Sequence, residues 1–208
     1  MSGEFDAQVR NCTWDLVPFD PNVNIVGCKW VFTNKYLSNG TFDRHKARLV
    51  AKGFHQKPGQ DFTETFSLVI KTTTIRTVLD IVVKRNWSIR QMNVNNAYLQ
   101  GTLNQEVFMS QPQGFVDPSK PNHICRLQKA IYGLKQAPRT WYLDLRNFLL
   151  NAGFQNFLAD TSLFVLRRGA DFIYVLIYVD DTFLSASIIN CGFLRRSSAT
   201  FGQYFPVQ

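Results

Sequence analysis

The chain has 208 residues, 45% of them apolar, with 23 Lys and Arg against 15 Asp and Glu, a formal net charge of +8 at pH 7. That length and apolar share imply a globular protein with a substantial core, one compact domain or one domain with lobes. The cation surplus is consistent with a polyanionic partner, nucleic acid or a phosphorylated substrate, and equally with a merely soluble basic protein. Cys12, Cys28, Cys125 and Cys191 show no C-x-x-C spacing, so neither a zinc site nor a disulfide framework is indicated and reduced thiols are expected. The longest apolar run, Phe172–Val179, is too short to span a bilayer, and Met1–Arg10 lacks the apolar core of a secretory signal. The expectation is an intracellular protein, neither secreted nor embedded in a membrane.

No repeat, low-complexity tract or linker interrupts the chain before its last residues, which predicts one continuous structural unit. The first clear element is a hairpin over Cys28–Phe54, with Asn39-Gly40 supplying the positive φ of a tight turn. Strand periodicity in its second arm puts Lys46, Arg48 and Lys52 on one face and Ala47, Leu49, Ala51 and Gly53 on the other. A cationic ladder of this kind is either a phosphate-binding surface or an edge strand protected by lysine.

Thr72–Asn86 then reads as an amphipathic helix: Ile75, Val78, Leu79, Val82 and Val83 form the apolar stripe, the threonines are available as N-caps, and Lys84-Arg85 complements the C-terminal dipole. "QMNVNNAYLQG", Gln91–Gly101, reads as a strand running into a turn, and it contains no carboxylate. A second helix is predicted from near Pro138 to Gly153, with Trp141, Tyr142, Leu145, Phe148 and Leu149 on one flank. Two short strands follow, Ser162–Leu166 and Phe172–Val179, and the polar break at Asp180-Asp181 leads to Thr182–Ala186. The order of elements suits an α+β fold with helices packed on one face of an antiparallel sheet.

Adjacent aspartates are usually only turn formers. Here they end a run apolar enough to be a buried central strand, where charge is costly unless a cation or hydrogen-bond donors compensate. Mg²⁺ is the natural compensator, because it takes hard oxygen ligands from one or two carboxylates.

Seven stretches, "NCTWDLVP", "GCKWVFTNK", "HKARLVAKGFHQKPGQDFTETFSLVIKTTTIR", "QMNVNNAYLQG", "VFMSQPQGF", "ICRLQKAIYGLKQAPRTWY" and "YVDD", together resemble the reverse transcriptase domain of copia-type retrotransposon polyproteins. The resemblance runs in the family's order over residues 1–187. It implies a right-hand polymerase with interleaved fingers (about residues 1–69 and 101–136) and palm (about residues 70–100 and 137–187). It also implies two-metal Mg²⁺ chemistry on deoxynucleoside triphosphates and an RNA or DNA template-primer, in a cytoplasmic setting. By resemblance, Asp180 and Asp181 are metal ligands, Lys46, Arg48 and Lys52 cradle the nucleotide phosphates, Tyr98 gates the incoming sugar, and Gln136, with Pro138, supports the templating base and nucleotide. The family pattern reads Q-M-D-V where this chain has Gln91, Met92, Asn93 and Val94. Asn93 replaces the aspartate that bridges the metals with a neutral amide, a poorer ligand for a hard dication. Asn95 and Asn96 supply no charge, and Leu68 stands where the family has proline. Residues 188–208 resemble neither the family's next helix nor its thumb and read as a frameshifted, poorly ordered tail. The expectation is a reverse transcriptase domain with lost or very weak activity; the alternative is a non-catalytic nucleic-acid binding remnant.

Overall fold

A computed structural model describes residues 1–66, 70–94, 97–178 and 181–186, all with their side chains except Asn93 and Arg168. Leu68, Asn95, Asn96, Asp180 and the segment 187–208 lie outside the described residues. In chain order the elements begin with α1 (Ser2–Arg10), β1 (Trp14–Pro18), β2 (Ile25–Val26), β3 (Cys28–Tyr36), β4 (Phe42–Ala51), α2 (Thr72–Lys84) and β5 (Ser88–Asn93). They continue with β6 (Thr102–Met109), β7 (His123–Lys129), α3 (Ala137–Asn151), β8 (Gln155–Asn156), β9 (Leu163–Arg168), β10 (Asp171–Tyr178) and β11 (Asp181–Ala186). The α+β class expected from the sequence holds.

The chain forms two compact units rather than one continuous unit: Met1–Phe66 with Tyr98–Trp141, and Ser67–Ala97 with Tyr142–Gln208. No linker composition marks the division, because one crossing, at Trp141/Tyr142, falls inside the continuous helix α3.

The first unit holds a sheet of order β1-β7-β6-β2 and the separate two-stranded ribbon β3-β4. Its core gathers Val26, Leu49, Leu99, Met109, Cys125 and Ile131. The hairpin turn differs from expectation. Only Gly40 of the Asn39-Gly40 pair has positive φ, at +82°. Leu37 N–H donates to the Thr41 carbonyl at 2.9 Å, and the pairing slips between Lys35 and Tyr36, so a longer loop with an irregular register replaces the two-residue turn.

The second unit is built on the antiparallel sheet β5-β11-β10-β9-β8. Val78 and Val82 of α2 pack on Leu163 and Leu176 of that sheet, together with Ile70. Two expectations for α2 need correction. Leu79 and Val83 are 41% and 74% exposed, so the buried stripe is narrower than the sequence pattern. The helix cap position is Lys71 and has no side-chain cap of its own; Asp160, distant in sequence, accepts the Lys71 N–H instead at 2.9 Å. The helix closes at Asn86, whose φ of +53° brings Trp87 N–H to the Val82 carbonyl at 2.9 Å. For α3 the expectation holds for Trp141, Tyr142, Leu145 and Leu149, which are buried, while Phe148 is only half-buried; Gly153 ends the helix at a φ of +90°.

Candidate functional site

The acidic corner belongs to the second unit. β10 is its buried central strand, with Ile173, Val175, Leu176 and Ile177 all under a tenth exposed. β11 lies between β10 and β5 in antiparallel register. That register sets Asp181 directly opposite Asn93, and Thr182 opposite Met92. Pairing thus brings Gln91–Asn93 and Asp181–Phe183 to the same end of adjacent strands, although they lie far apart in sequence. Asp181 sits in the strand rather than in a loop, and its Oδ1 accepts a hydrogen bond from Gln91 Nε2 at 3.1 Å. Among the described residues no group of three His, Cys, Asp or Glu side chains could hold a metal ion. The corner's one described carboxylate, Asp181, stands opposite a residue with no carboxylate, so the described residues do not by themselves complete a site for a hard divalent cation.

The cationic surface belongs to the first unit. Paired residues of an antiparallel ribbon project to the same face. The pairs Lys29–Val50, Val31–Arg48, Thr33–Lys46 and Lys35–Arg44 therefore collect Lys29, Lys35, Arg44, Lys46 and Arg48 on one side. Burial lowers the Lys46 ammonium from its ordinary value, and the neighbouring charges of Arg48 and Lys35, with a lesser one from Arg44, lower it further and outweigh the opposing effect of Glu4. Like charges that crowd this way are relieved by an anion. The Arg48 guanidinium lies 5.4 Å over the ring of Tyr132, which meets Tyr98 edge-on at 5.2 Å, so Arg48 and Tyr98 join one cluster through Tyr132. Lys52 departs from the ladder: it lies beyond the end of β4, its N–H donates to the Gly27 carbonyl at 2.7 Å, and its side chain runs beside Gly27. Arg44 follows the same alternation as Lys46 and Arg48, whereas Lys29, Lys35 and Tyr132 join the surface only through cross-strand pairing and tertiary contact.

Gln136 is buried at 2% exposure, and its amide is engaged on both sides. Gln56 Nε2 donates to Gln136 Oε1 at 2.9 Å, and Gln136 Nε2 donates to the Asp61 carbonyl at 2.9 Å. Gln56 Oε1 in turn accepts the Lys135 N–H at 2.8 Å. The Asp61 carboxylate is itself buried and accepts from Lys57 N–H and Asn24 Nδ2, both at 2.6 Å. The adjoining backbone is equally tight: Ala51 N–H donates to the Tyr132 carbonyl at 2.7 Å, and Gly53 and Gly133 touch backbone to backbone. Gln56 and Asp61, both within "GFHQKPGQDF", are thus structural partners of Gln136 that the residue pattern alone does not single out.

An α+β chain that pairs an acidic strand start with "QMNV" in one unit and carries a crowded cationic ribbon in the other has the parts of a polymerase domain. The family model described as reverse transcriptase (RNA-dependent DNA polymerase) matches residues 11–197, and the chain belongs to that family. It is similar to the retrovirus-related Pol polyproteins from transposons RE2 and RE1 of Arabidopsis thaliana, at 60% and 59% identity over the whole chain. It is also 40% identical over 87% of its length to the retrovirus-related Pol polyprotein from transposon TNT 1-94 of Nicotiana tabacum. The chain spans only 14% of the length of each of these relatives. The family match continues past residue 187, and the RE1 and RE2 alignments run through residues 188–208.

Proposed function

We propose that the chain is the reverse transcriptase domain of a copia-type retrotransposon whose RNA-directed DNA polymerase activity is lost or very weak. The observation that carries this reading is the register of β5 against β11, which sets Asn93 opposite Asp181 where the family has a pair of acids. In this reading the first unit is the fingers and the second the palm. Asp180 and Asp181 would hold Mg²⁺, which would supply charge neutralisation for the triphosphate and the leaving pyrophosphate. Asn93 contributes an amide oxygen and no charge. Gln91 donates to Asp181 and fixes its carboxylate. Lys46 and Arg48, with Lys52 at the strand's end, receive the phosphates of the nucleotide; Tyr98, held by Tyr132, stacks under its sugar. Gln136 supports the templating base and nucleotide through the turn it fixes. The partners are an RNA or DNA template-primer and deoxynucleoside triphosphates.

Removing one of three anionic ligands costs transition-state stabilisation of about 3–5 kcal/mol, or roughly two to four decades of rate. Mg²⁺-dependent primer extension by the chain, beside the variant Asn93→Asp, tests this: strong incorporation by the unaltered chain overturns the loss of activity.

A second reading, a non-catalytic nucleic-acid binding remnant, is favoured by the five cations on one ribbon face, which bind phosphate whatever the state of the acidic corner. Affinity for single-stranded RNA that falls steeply with salt supports it; no binding at low salt ends it.

A further inference from the structure

We infer that Gln56 is a positioning residue for the nucleotide site: it fixes which way the Gln136 amide points, and so holds the turn Leu134–Ala137. The inference rests on the nucleotide-binding reading above. Three hydrogen bonds run in series, Lys135 N–H to Gln56 Oε1, Gln56 Nε2 to Gln136 Oε1, and Gln136 Nε2 to the Asp61 carbonyl. Both ends of the series are backbone groups with no freedom of role. An N–H can only donate, so Gln56 must present its oxygen to Lys135 and its NH₂ to Gln136. A carbonyl can only accept, so Gln136 must present its NH₂ to Asp61. The two ends demand the same polarity, and a flip of either amide would set oxygen against oxygen or NH₂ against NH₂ in a buried place.

Gln56 and Gln136 are 4% and 2% exposed, so water does not replace a broken link cheaply. The series joins two loops that converge on the end of the cationic strand β4: the loop after β7 that carries Tyr132 and Lys135, and the loop after β4 that carries Gln56 and Asp61. The same loops are stitched by Ala51 N–H to the Tyr132 carbonyl and by the Gly53–Gly133 contact, where a methyl on either glycine would collide with backbone. Tyr132 is the ring that holds Arg48 and Tyr98. The polarity of two buried amides is therefore coupled to the placement of the residues proposed to meet the nucleotide, and Gln136 acts through the turn it fixes rather than by touching the nucleotide.

The chemistry supplies a signature that a space-filling role lacks. In Gln56→Glu an ionised carboxylate still accepts from Lys135 N–H but cannot donate to Gln136 Oε1, so the series breaks. Protonated, the same carboxyl donates its O–H to Gln136 Oε1 and restores it. Burial favours the protonated form, which brings the titration into an accessible range. Gln56→Leu fills similar space and cannot recover at any pH.

The experiment is equilibrium binding of base-labelled fluorescent dATP with Mg²⁺ to the full chain, Gln56→Glu and Gln56→Leu, at about pH 8 and about pH 5.5. Each affinity is taken relative to the unaltered chain at the same pH, below the thermal midpoint of every variant. The expected result is a roughly tenfold weakening in both variants at the higher pH, with recovery at the lower pH in Gln56→Glu alone. Gln136→Glu, whose protonated carboxyl can likewise donate to the Asp61 carbonyl, gives the same signature and replaces Gln56→Glu should that variant not fold. Binding by the unaltered chain that the variants match at both pH values, or weakening without selective recovery, overturns the positioning role alone. No binding by the unaltered chain overturns the nucleotide reading and the positioning role with it.

Discussion

Asp160 offers a measure of how much the second unit depends on one side chain. It stands before β9, is 7% exposed, and accepts the Lys71 N–H at 2.9 Å through Oδ2 and the Ser162 N–H at 3.0 Å through Oδ1, with the Thr74 hydroxyl as a further donor. Because Lys71 is the cap residue of α2, the carboxylate also faces the positive end of that helix. In Asp160→Ala the two backbone donors lose a charge-assisted partner, at about 1 kcal/mol each once water enters, and the loss of dipole stabilisation adds about 0.5 kcal/mol. The sum of about 2–3 kcal/mol corresponds to a midpoint lowered by roughly 4–10 °C for a protein of this size. The pH dependence follows from the same contacts. Burial pushes the Asp160 carboxyl up, but the hydrogen bonds from Thr74, Lys71 and Ser162 outweigh it and hold the group below its ordinary value. The stabilisation is therefore fully present above about pH 4–5, where the unfolded carboxyl is also ionised, and is lost as pH falls through the lower folded value. Thermal unfolding followed by circular dichroism should show a constant gap between the two chains from about pH 5 to 8 that narrows below about pH 4. A midpoint change under about 1 °C, or a gap that widens with acidity, would refute the capping role.

Three further outcomes are expected. In Gly101→Ala the added methyl would sit 2.7 Å from Thr140 Oγ1 and 2.9 Å from the Trp141 nitrogen, so denaturant unfolding should show a loss of about 1–3 kcal/mol. Lys46→Ala with Arg48→Ala should weaken binding to single-stranded RNA and reduce the log–log salt slope by about 1.4, against no change in slope for Lys84→Ala, whose ammonium pairs with Asp80 on α2. Thiol labelling at about pH 8 should modify exposed Cys12 quickly and Cys125 hardly at all, since burial, then Cys28, pushes its thiol up to about 12.

The parts of the fold legible in sequence were those with strong local periodicity. The buried run of β10, the glycine after α3 and the alternation that splits Lys46 and Arg48 from Leu49 and Ala51 are all local patterns, and all appear in the structure. What was not legible depends on partners distant in sequence. The first unit's sheet is not legible because β1, β6 and β7 mix polar and apolar residues without a strong strand pattern, and their pairing alone identifies them. No local sequence pattern marks the division into two units, because the chain crosses between them without a linker. The α2 cap is not legible because Asp160 lies far along the chain, and periodicity marks Leu79 and Val83 as part of an apolar stripe without fixing how much of it is covered. For the candidate site, motif order named the residues, but only register set Asn93 against Asp181 and gathered five cations on one ribbon face, and only tertiary contact shows the Gln136 amide as a buried link.

The most direct measurement is primer extension on an RNA template with Mg²⁺, with the chain and Asn93→Asp assayed side by side and both shown to be folded. Restoring the carboxylate opposite Asp181 should raise the rate of nucleotide incorporation by at least about 100-fold over a chain that is silent or nearly so. Equal rates in the two proteins, whether both active or both silent, would contradict the claim that the loss of activity resides in that one carboxylate.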